Sequence, residues 1–154
     1  MYLYLVQHAK AKSEEEDPAR PLSEEGLKDL KRVSLFISKV NLSIDEIWHS
    51  GKLRAKQTAE ILAEALKITN ISEVKGLAPL DAPEVIAEKI LKSDKSIMIV
   101  GHLPHLGRLT SLLIVGDKDR KVVTFQMGGI VCLGRDEEIW SLRWCIIPEI
   151  LSEL

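Results

Sequence analysis

The sequence predicts an α/β protein built as a three-layer α/β/α sandwich, with a mostly parallel central sheet between two layers of helices. Short apolar runs alternate with helical patterns as far as Val115, which is typical of parallel sheets. Two of these runs, residues 2–6 and 97–100, lack polar alternation and are therefore interpreted as strands buried on both faces. Each run leads directly to a histidine, His8 or His102, at the strand end where such sheets bind ligands.

Composition limits the class of protein. The 154 residues, 45% of them hydrophobic, predict one domain over residues 1–154. The 21 basic and 23 acidic side chains give a net charge of -2, which argues against nucleic acid or an anionic membrane as a partner. The N-terminus shows no signal-peptide pattern, and no apolar stretch approaches the roughly 20 residues of a bilayer span. We therefore expect a soluble, cytoplasmic protein.

The two cysteines give no sign of redox or metal chemistry. Cys132 and Cys145 form no Cys-x-x-Cys pair, and each lies in an apolar run that is typical of a strand. Both are therefore expected to be small buried hydrophobic residues rather than ligands or disulfide partners.

A first helix is predicted to begin at Ser23, as its N-cap, and to end near Lys39. The polar segment 11–19 before it contains the acidic run 14–17, which is interpreted as a solvated loop. Arg20 lies just outside the helix start, near the expected carboxyl edge of the sheet. From position alone, an anion-binding role and a plain surface role are equally open for Arg20.

A short strand ending at His49 is followed by a second helix that begins at Leu53. Arg54, Gln57 and Thr58 then fall in its first turns. Backbone N–H groups at a helix start favour an anion, and an arginine adds a planar, bidentate donor. Because the helix dipole slightly disfavours a basic residue there, Arg54 is a better candidate for anion binding than for surface decoration.

The second half of the chain is predicted to contain two more helices and a group of strands. A strand lies within residues 68–74, and a third helix begins at Pro83. The strand 97–100 precedes a fourth helix that ends near Val115. Further strands are expected at 122–125, 130–133 and 139–145, the last two as a hairpin, and Gly128-Gly129 permits a close backbone approach. The tail 148–154 is expected to form a turn of helix, and the buried face of the third helix is expected to contain Val85, Ile86, Ile90 and Leu91.

Four polar side chains at strand ends and helix starts are candidates for one site: His8, Arg20, Arg54 and His102, with Gln7 beside His8. Two imidazoles and two guanidiniums suit a dianionic phosphate. A metal fits less well, because arginines repel a cation and no His, Asp or Glu cluster has ligand spacing. We therefore expect no metal and no cofactor.

These residues resemble the motifs of the histidine phosphatase superfamily, which has a phosphoglycerate-mutase-like fold, and especially its short SixA-type phosphohistidine phosphatases. The resemblance extends over almost the whole chain. It rests on four segments in the family's order and spacing: Gln7-His8-Ala9, Arg20-Pro21-Leu22 with Glu25-Gly26, Ser50-Gly51-Lys52-Leu53-Arg54-Ala55-Lys56-Gln57-Thr58, and Gly101-His102-Leu103-Pro104.

The resemblance implies a metal-independent phosphatase that acts through a phosphohistidine intermediate on His8. Arg20, Arg54 and His102 are implied to hold the phosphoryl oxygens in the transition state, with Gln7 also at the phosphate. The implied substrate is protein phosphohistidine or a small phosphoester. For attack, His8 must present a neutral nitrogen, so its other ring nitrogen is expected to donate to a backbone carbonyl.

One departure from the family pattern concerns Gln7, which stands where the family has an arginine. Loss of one charged donor to a transferring phosphoryl group corresponds to about 2.7–4 kcal/mol, by analogy with loss of an oxyanion donor. Lys10, Lys52 and Arg108 are candidates to compensate. The alternative function is a phosphate or phosphoprotein binding module with weak or lost turnover.

A general acid is the second open point. Larger members of the family protonate an alkoxide leaving group with a carboxylate, and Asp81 is the candidate here. Without such an acid, a P–N bond is the better substrate, because an imidazole leaving group needs less help from a proton. A mutase is less favoured, since the chain has little room for the insertions that enclose a bisphosphate. His49 and His105 are interpreted either as structural residues or as residues that support the site without contacting the substrate.

Overall fold

The central sheet of the computed structural model contains six strands, and the structure describes residues 1–152. The strands are β1 Tyr2–Gln7, β2 Glu46–His49, β3 Ile71–Glu73, β4 Ile97–Gly101, β5 Ile130–Asp136 and β6 Ile139–Ile146. The helices are α1 Glu24–Lys39, α2 Leu53–Leu66, α3 Pro83–Leu91 and α4 His105–Val115, followed by a 3-10 helix at Pro148–Ile150.

The sheet is mostly parallel, as predicted. Its strand order is β3-β2-β4-β1-β5-β6. The pairs β3–β2, β2–β4 and β4–β1 are parallel, whereas β5 and β6 form an antiparallel hairpin that is added beside β1. The two strands that lead to histidines are therefore neighbours at the centre of the sheet.

Helices cover both faces of the sheet, which confirms the three-layer sandwich. On one face, α1 and α2 pack against β1, β2 and β4 through Leu30, Val33, Ile37, Ala55, Ala59 and Leu62. On the other face, α3 and α4 pack against the same strands through Ile86, Ala87, Ile90, Leu106 and Leu109. Burial on both faces explains why β1 and β4 carry continuous apolar runs instead of alternating patterns.

The predicted start of α1, with Ser23 as its N-cap, is confirmed. The Ser23 hydroxyl accepts a hydrogen bond from the Gly26 N–H at 3.1 Å, and Ser23 is the N-cap of the helix. Gly26 packs directly on the backbone carbonyl of Lys10, so that any Cβ at this position would overlap that oxygen. The glycine thus allows α1 to approach the loop that follows β1.

The predicted strand at 122–125 is wrong. This segment forms no strand, and its apolar character comes from packing, because Phe125 and Val123 contact the core beneath α3 and α4. The chain joins the sheet only through a bridge between Met127 and Gln7. Gly128 then adopts a φ of 77° and donates its N–H to the Gln7 carbonyl at 2.9 Å, as the expected close approach requires.

Three burial predictions are also wrong. Cys132 is buried, but Cys145 is exposed on β6, which is an edge strand. In α3 the buried face is formed by Ile86 and Ile90, whereas Val85 and Leu91 are exposed. At about 100° per residue, Val85 and Leu91 lie to either side of that face.

No described helix is both long and apolar enough to cross a membrane. The predicted helical turn in the tail is present as the 3-10 helix Pro148–Ile150. The last two residues of that prediction, Glu153 and Leu154, lie outside the described part of the chain.

Candidate active site

The parallel pairing of β1 with β4 brings the two predicted histidines together. In its register Gln7 lies opposite Gly101, so that His8 and His102 leave the sheet side by side. The His8 N–H donates to the Gly101 carbonyl at 3.0 Å, and the two imidazole centroids are 5.1 Å apart. Sequence positions that are far apart thus form one site at the carboxyl edge of the sheet.

His8 is held as a neutral imidazole with a defined tautomer. The residue is 8% exposed, and its Nδ1 lies 2.8 Å from the Ala9 carbonyl oxygen. Since a carbonyl can only accept, Nδ1 carries the proton and Nε2 keeps a free lone pair. Burial lowers the pKa of His8, and the nearby Arg54 and Arg20 lower it further against the opposing effect of the Ala9 carbonyl. The tautomer expected for a nucleophile is therefore present.

His102 is the more deeply buried ring, at 2% exposure. Its Nε2 lies 2.6 Å from the Ser50 hydroxyl, while its Nδ1 is buried with no hydrogen-bond partner. Burial, together with the neighbouring His8, Arg54 and Lys52, lowers the pKa of His102 to about 3. Near neutral pH both rings are therefore uncharged, and the positive charge at the site comes from the arginines.

Arg54 lies in the first turn of α2, as predicted. Its Nε is buried without a hydrogen-bond partner, so the guanidinium has an unused donor. Burial and the charge of Arg20 lower the pKa of Arg54, and Glu14 opposes this shift. The Thr58 hydroxyl connects α2 to the histidine loop, because it donates to the Arg54 carbonyl at 2.8 Å and accepts from the Ala9 N–H at 3.1 Å.

Arg20 also belongs to this site. Its charge lowers the pKa of both His8 and Arg54, so its guanidinium lies within electrostatic range of both residues. Its backbone has a φ of 50°, a left-handed conformation that is uncommon outside glycine and occurs preferentially at functional sites. The Arg20 Nε donates to the Lys12 carbonyl at 3.1 Å, and the loop is tied to α2 by the Leu22 N–H, which donates to Gln57 Oε1 at 2.8 Å.

Gln7 occupies the end of β1, and within the described residues its side-chain amide has no hydrogen-bond partner.

Three basic residues were candidates to compensate for the charge that Gln7 lacks. Lys10 forms ion pairs with Glu25 at 2.6 Å and with Asp29 at 3.8 Å instead. Arg108 faces Asp119 at 3.7 Å. Lys52 alone of the three affects a site histidine, since its charge lowers the pKa of His102.

Asp81 is not placed among these residues. Its carboxylate accepts from the Ala78 N–H at 2.9 Å, and its charge raises the pKa of His105 against the burial that lowers it. Arginines, a lysine and other histidines shift the pKa values of His8 and His102, and no carboxylate does so within the described part of the chain. A general-acid role for Asp81 stays a prediction.

The remaining histidines are buried away from solvent, as a structural role requires. His49 Nδ1 accepts from the Gly51 N–H at 3.1 Å and so shapes the loop that carries Ser50. His105 is fully buried on α4. Over residues 1–152, no group of three or more His, Cys, Asp or Glu side chains could hold a metal ion.

The sequence analysis did not predict that Ser50 and Thr58 hold parts of the site in place. Both belong to the segment whose motif had been noted, but their partners, His102 and Ala9, are 52 and 49 residues away along the chain. Spacing within a motif cannot indicate such partners. Only the pairing of β2 with β4 and the packing of α2 on the His8 loop create these contacts.

Fold and site together define an α/β protein with two neutral histidines and two arginines near the carboxyl edge of its sheet, an arrangement that suits an anion. A scan against family models matches residues 3–89 to the histidine phosphatase superfamily (branch 1). An uncharacterised protein of Picosynechococcus sp. (strain PCC 7002) is 32% identical over 123 residues, which cover 75% of this chain and 74% of that protein. The chain therefore belongs to the histidine phosphatase superfamily, which supports phosphatase as its class of activity.

Solved structures share the fold. The protein histidine phosphatase SixA complexed with tungstate is similar at a TM-score of 0.79 and 24% identity, covering 96% of this chain and 97% of that one. A putative phosphohistidine phosphatase SixA from Agrobacterium tumefaciens matches at a TM-score of 0.76 and 22% identity over the same shares of the chains. A putative alpha-ribazole-5'-P phosphatase from Escherichia coli gives 0.76 at 15% identity, covering 99% and 98%. The phosphoglycerate-mutase-like fold is thereby confirmed, and these neighbours differ in substrate.

Proposed function

We propose that the protein hydrolyses phosphohistidine on a protein substrate, without a metal, through a covalent intermediate on His8. The observation that carries this proposal is the 2.8 Å contact between His8 Nδ1 and the Ala9 carbonyl, which leaves Nε2 unprotonated beside two arginines. A nitrogen with a free lone pair in a cationic cup is what an in-line attack on phosphorus requires.

In the first step, the lone pair of His8 Nε2 forms a bond to phosphorus while the P–N bond of the substrate breaks. The electron pair of that bond returns to the substrate ring, which leaves as a neutral imidazole because its other nitrogen keeps a proton. His8 becomes a phosphorylated imidazolium, and its Nδ1–H stays on the Ala9 carbonyl. This carbonyl stabilises the charged ring through a stronger hydrogen bond.

In the second step, water attacks phosphorus and the bond to Nε2 breaks. Inorganic phosphate leaves with the protons of the water, and His8 returns to its neutral tautomer. Arg54 and Arg20 are proposed to hold the equatorial oxygens during both steps, with the unused Nε of Arg54 as one donor. His102 and Gln7 are proposed to donate to the remaining phosphoryl oxygens.

The choice of a P–N bond rests on the position of the carboxylates. An ester oxygen leaves poorly without a proton donor, whereas an imidazole needs none. Asp81 affects the pKa of His105 and Glu14 affects the pKa of Arg54, and within the described residues no carboxylate shifts the pKa of His8. The arrangement therefore supports phosphohistidine over a small phosphoester as the substrate. No comparable observation favours a binding module without turnover.

Metal independence is supported by the donor set. Two guanidiniums near His8 repel a cation and supply the charge that a metal would otherwise bring.

A cytoplasmic place of action is supported by two free cysteines, one of them exposed, since the cytoplasm keeps thiols reduced.

The test uses a phosphohistidine-containing protein as substrate, with a chelator present and phosphate release as the measurement. We expect release by the unaltered protein and an acid-labile phosphoryl group on His8 when the reaction is quenched in alkali. His8→Ala is expected to abolish both, with an unchanged melting temperature as the control for folding. Phosphate release by His8→Ala at the unaltered rate would contradict the assigned nucleophile, and turnover of phosphoserine but not phosphohistidine would contradict the substrate.

A further inference from the structure

A second concave surface adjoins the site on the α4 side. A cavity of about 380 Å³ lies between the start of α4 and the segment that follows it, and we call it the cationic cavity. Its apolar wall includes Leu103, Pro104 and Phe125, and its basic side chains are Arg108, Lys118 and Lys121. Its volume falls within the range of ligand sites in proteins, and its lining combines apolar area with a few charged groups, as such sites do.

The chain itself connects this cavity to the phosphoryl site. Leu103 and Pro104 follow His102 directly, and the opposite wall, which includes Phe125, leads within two residues to the bridge between Met127 and Gln7. Leu103 is an exposed large hydrophobic residue, although the ring before it is almost fully buried. A group that emerges from the phosphoryl site past His102 therefore meets this apolar wall first.

The charge of the cavity is not balanced by its own residues. Asp119 is the only carboxylate in its lining, and it lies 3.7 Å from Arg108. Lys118 pairs with Glu84, which lies outside the lining, at 2.9 Å. Lys121 is exposed and has no ion-pair partner among the described residues. The cavity therefore presents a net positive rim above an apolar wall.

The loop before Arg20 carries an acidic run, residues 14–17. Glu14 acts on Arg54, and Glu14 and Glu15 are exposed in the acidic run. The next two acidic side chains are engaged in the loop, where Glu16 accepts from the Ser13 N–H and Asp17 accepts from the Ala19 N–H. Acidic residues of a substrate are thus repelled by Glu14 and Glu15 and attracted by the basic side chains of the cationic cavity.

We propose that the cationic cavity binds an acidic, apolar segment that flanks the phosphohistidine of the protein substrate. The inference rests on the proposed function, because the phosphoryl group must sit at His8 for the flanking chain to reach Leu103. Apolar side chains of the segment contact Leu103, Pro104 and Phe125, and its carboxylates pair with Lys121 and Arg108. The cavity sets substrate preference, while the chemistry stays with the histidines and arginines.

The test compares three substrates: phosphoramidate, free phosphohistidine, and phosphohistidine peptides that differ only in flanking Leu-Glu or Leu-Lys pairs. We expect the Leu-Glu peptide to have a kcat/KM about fivefold above that of the Leu-Lys peptide, in the range of one exposed charge pair. Lys121→Glu should remove this preference through KM, with kcat for phosphoramidate unchanged. Lys31→Glu, an equal charge change at an exposed position on α1, is the matched control and should retain the preference.

Four outcomes would overturn the inference, and a further one concerns the proposed function alone. Equal kcat/KM for the two peptides, or an equal loss in Lys121→Glu and Lys31→Glu, would overturn it while leaving the proposed function intact. Free phosphohistidine turned over as efficiently as the Leu-Glu peptide would also overturn it, in favour of a small-molecule substrate. If phosphoramidate and phosphohistidine are both inert, the proposed function fails by itself. In that case, the binding of the two peptides to the His8→Ala protein measures docking without turnover. Equal affinity for the Leu-Glu and Leu-Lys peptides would again overturn the inference.

Discussion

His8 and His102 leave adjacent strands at equivalent positions, yet they are held in place by different kinds of group. His8 bonds to the carbonyl of the next residue, Ala9, so its orientation depends only on local backbone. His102 bonds to the Ser50 hydroxyl, a side chain from another loop, and its Nδ1 has no partner. The difference teaches that a backbone carbonyl fixes the tautomer of His8, whereas the tautomer of His102 depends on its contact with the Ser50 hydroxyl.

Replacement of each histidine should separate these two roles most clearly. His8→Ala is expected to reduce turnover to the background rate and to prevent phosphoryl transfer to the protein. His102→Ala removes one donor to the transition state and should lower kcat by about 10²–10³, with a phosphorylated His8 still detectable by mass spectrometry under alkaline quench. Equal loss in both variants with no covalent species in either would erase the distinction between the rings.

The second test concerns the residue that precedes each histidine. His8 follows Gln7 and His102 follows Gly101, and these two residues lie opposite each other in the sheet. Gln7→Arg adds a charged donor next to His8 and is expected to raise kcat about tenfold, a fraction of what one oxyanion donor contributes. The added charge should also lower the pKa of His8 further, which moves the acid limb of the rate profile to lower pH. Gln7→Met, which adds no charge, is the control and should not gain activity.

Ser50→Ala should affect only the His102 side of the comparison. The variant removes the 2.6 Å contact to Nε2 and leaves both nitrogens of a ring at 2% exposure without a protein partner. We expect kcat to fall about tenfold, which corresponds to loss of roughly one hydrogen bond, while the rate of His8 phosphorylation by excess substrate changes less than the rate of phosphate release. Ser38→Ala, on the outer part of α1, is a control that should behave as the unaltered protein.

The pH dependence should show the smallest effects and should differ for activity and stability. Because the pKa of His8 is lowered, kcat/KM is expected to be constant from neutral pH down to below 6.5 and then to fall as His8 takes up a proton. His102 has a pKa of about 3 in the folded state, so the unfolded chain binds its proton first. The free energy of unfolding should therefore decline as the pH falls from 6.5 towards 3, and His102→Ala should reduce that slope. A slope unaltered in His102→Ala would be evidence against a neutral buried ring.

The four parallel strands and four helices were predictable because their signals are local. The Ser23 cap, the apolar runs of β1 and β4 and the two strand-end histidines depend on neighbouring residues and on the general geometry of α/β sheets. The same reasoning failed at 122–125, where an apolar run serves packing under α3 and α4 instead of pairing. It also failed at Cys145, because nothing in the residue itself indicates that β6 forms the sheet's edge.

For the site, sequence reasoning named the charged groups but not what positions them. His8, His102, Arg54 and Arg20 were identified from strand ends, helix starts and the family motifs, and the structure brings all four together. The contacts of Ser50 and Thr58, and the influence of Glu14 on Arg54, span loops that spacing cannot connect. The cationic cavity likewise joins α4 to a segment that was expected to be a strand.

The pairing of β1 with β4 also determines when the protein can first become active. The strands that carry the two histidines join residues as far as 94 positions apart, as the bond from Tyr2 to Ser96 shows. Contacts between such distant residues form late, since a long loop must close before they gain any stability. During synthesis, His8 therefore emerges early but stays apart from His102 until β4 has left the ribosome. A chain interrupted before residue 97 has three of its four motifs and no complete site.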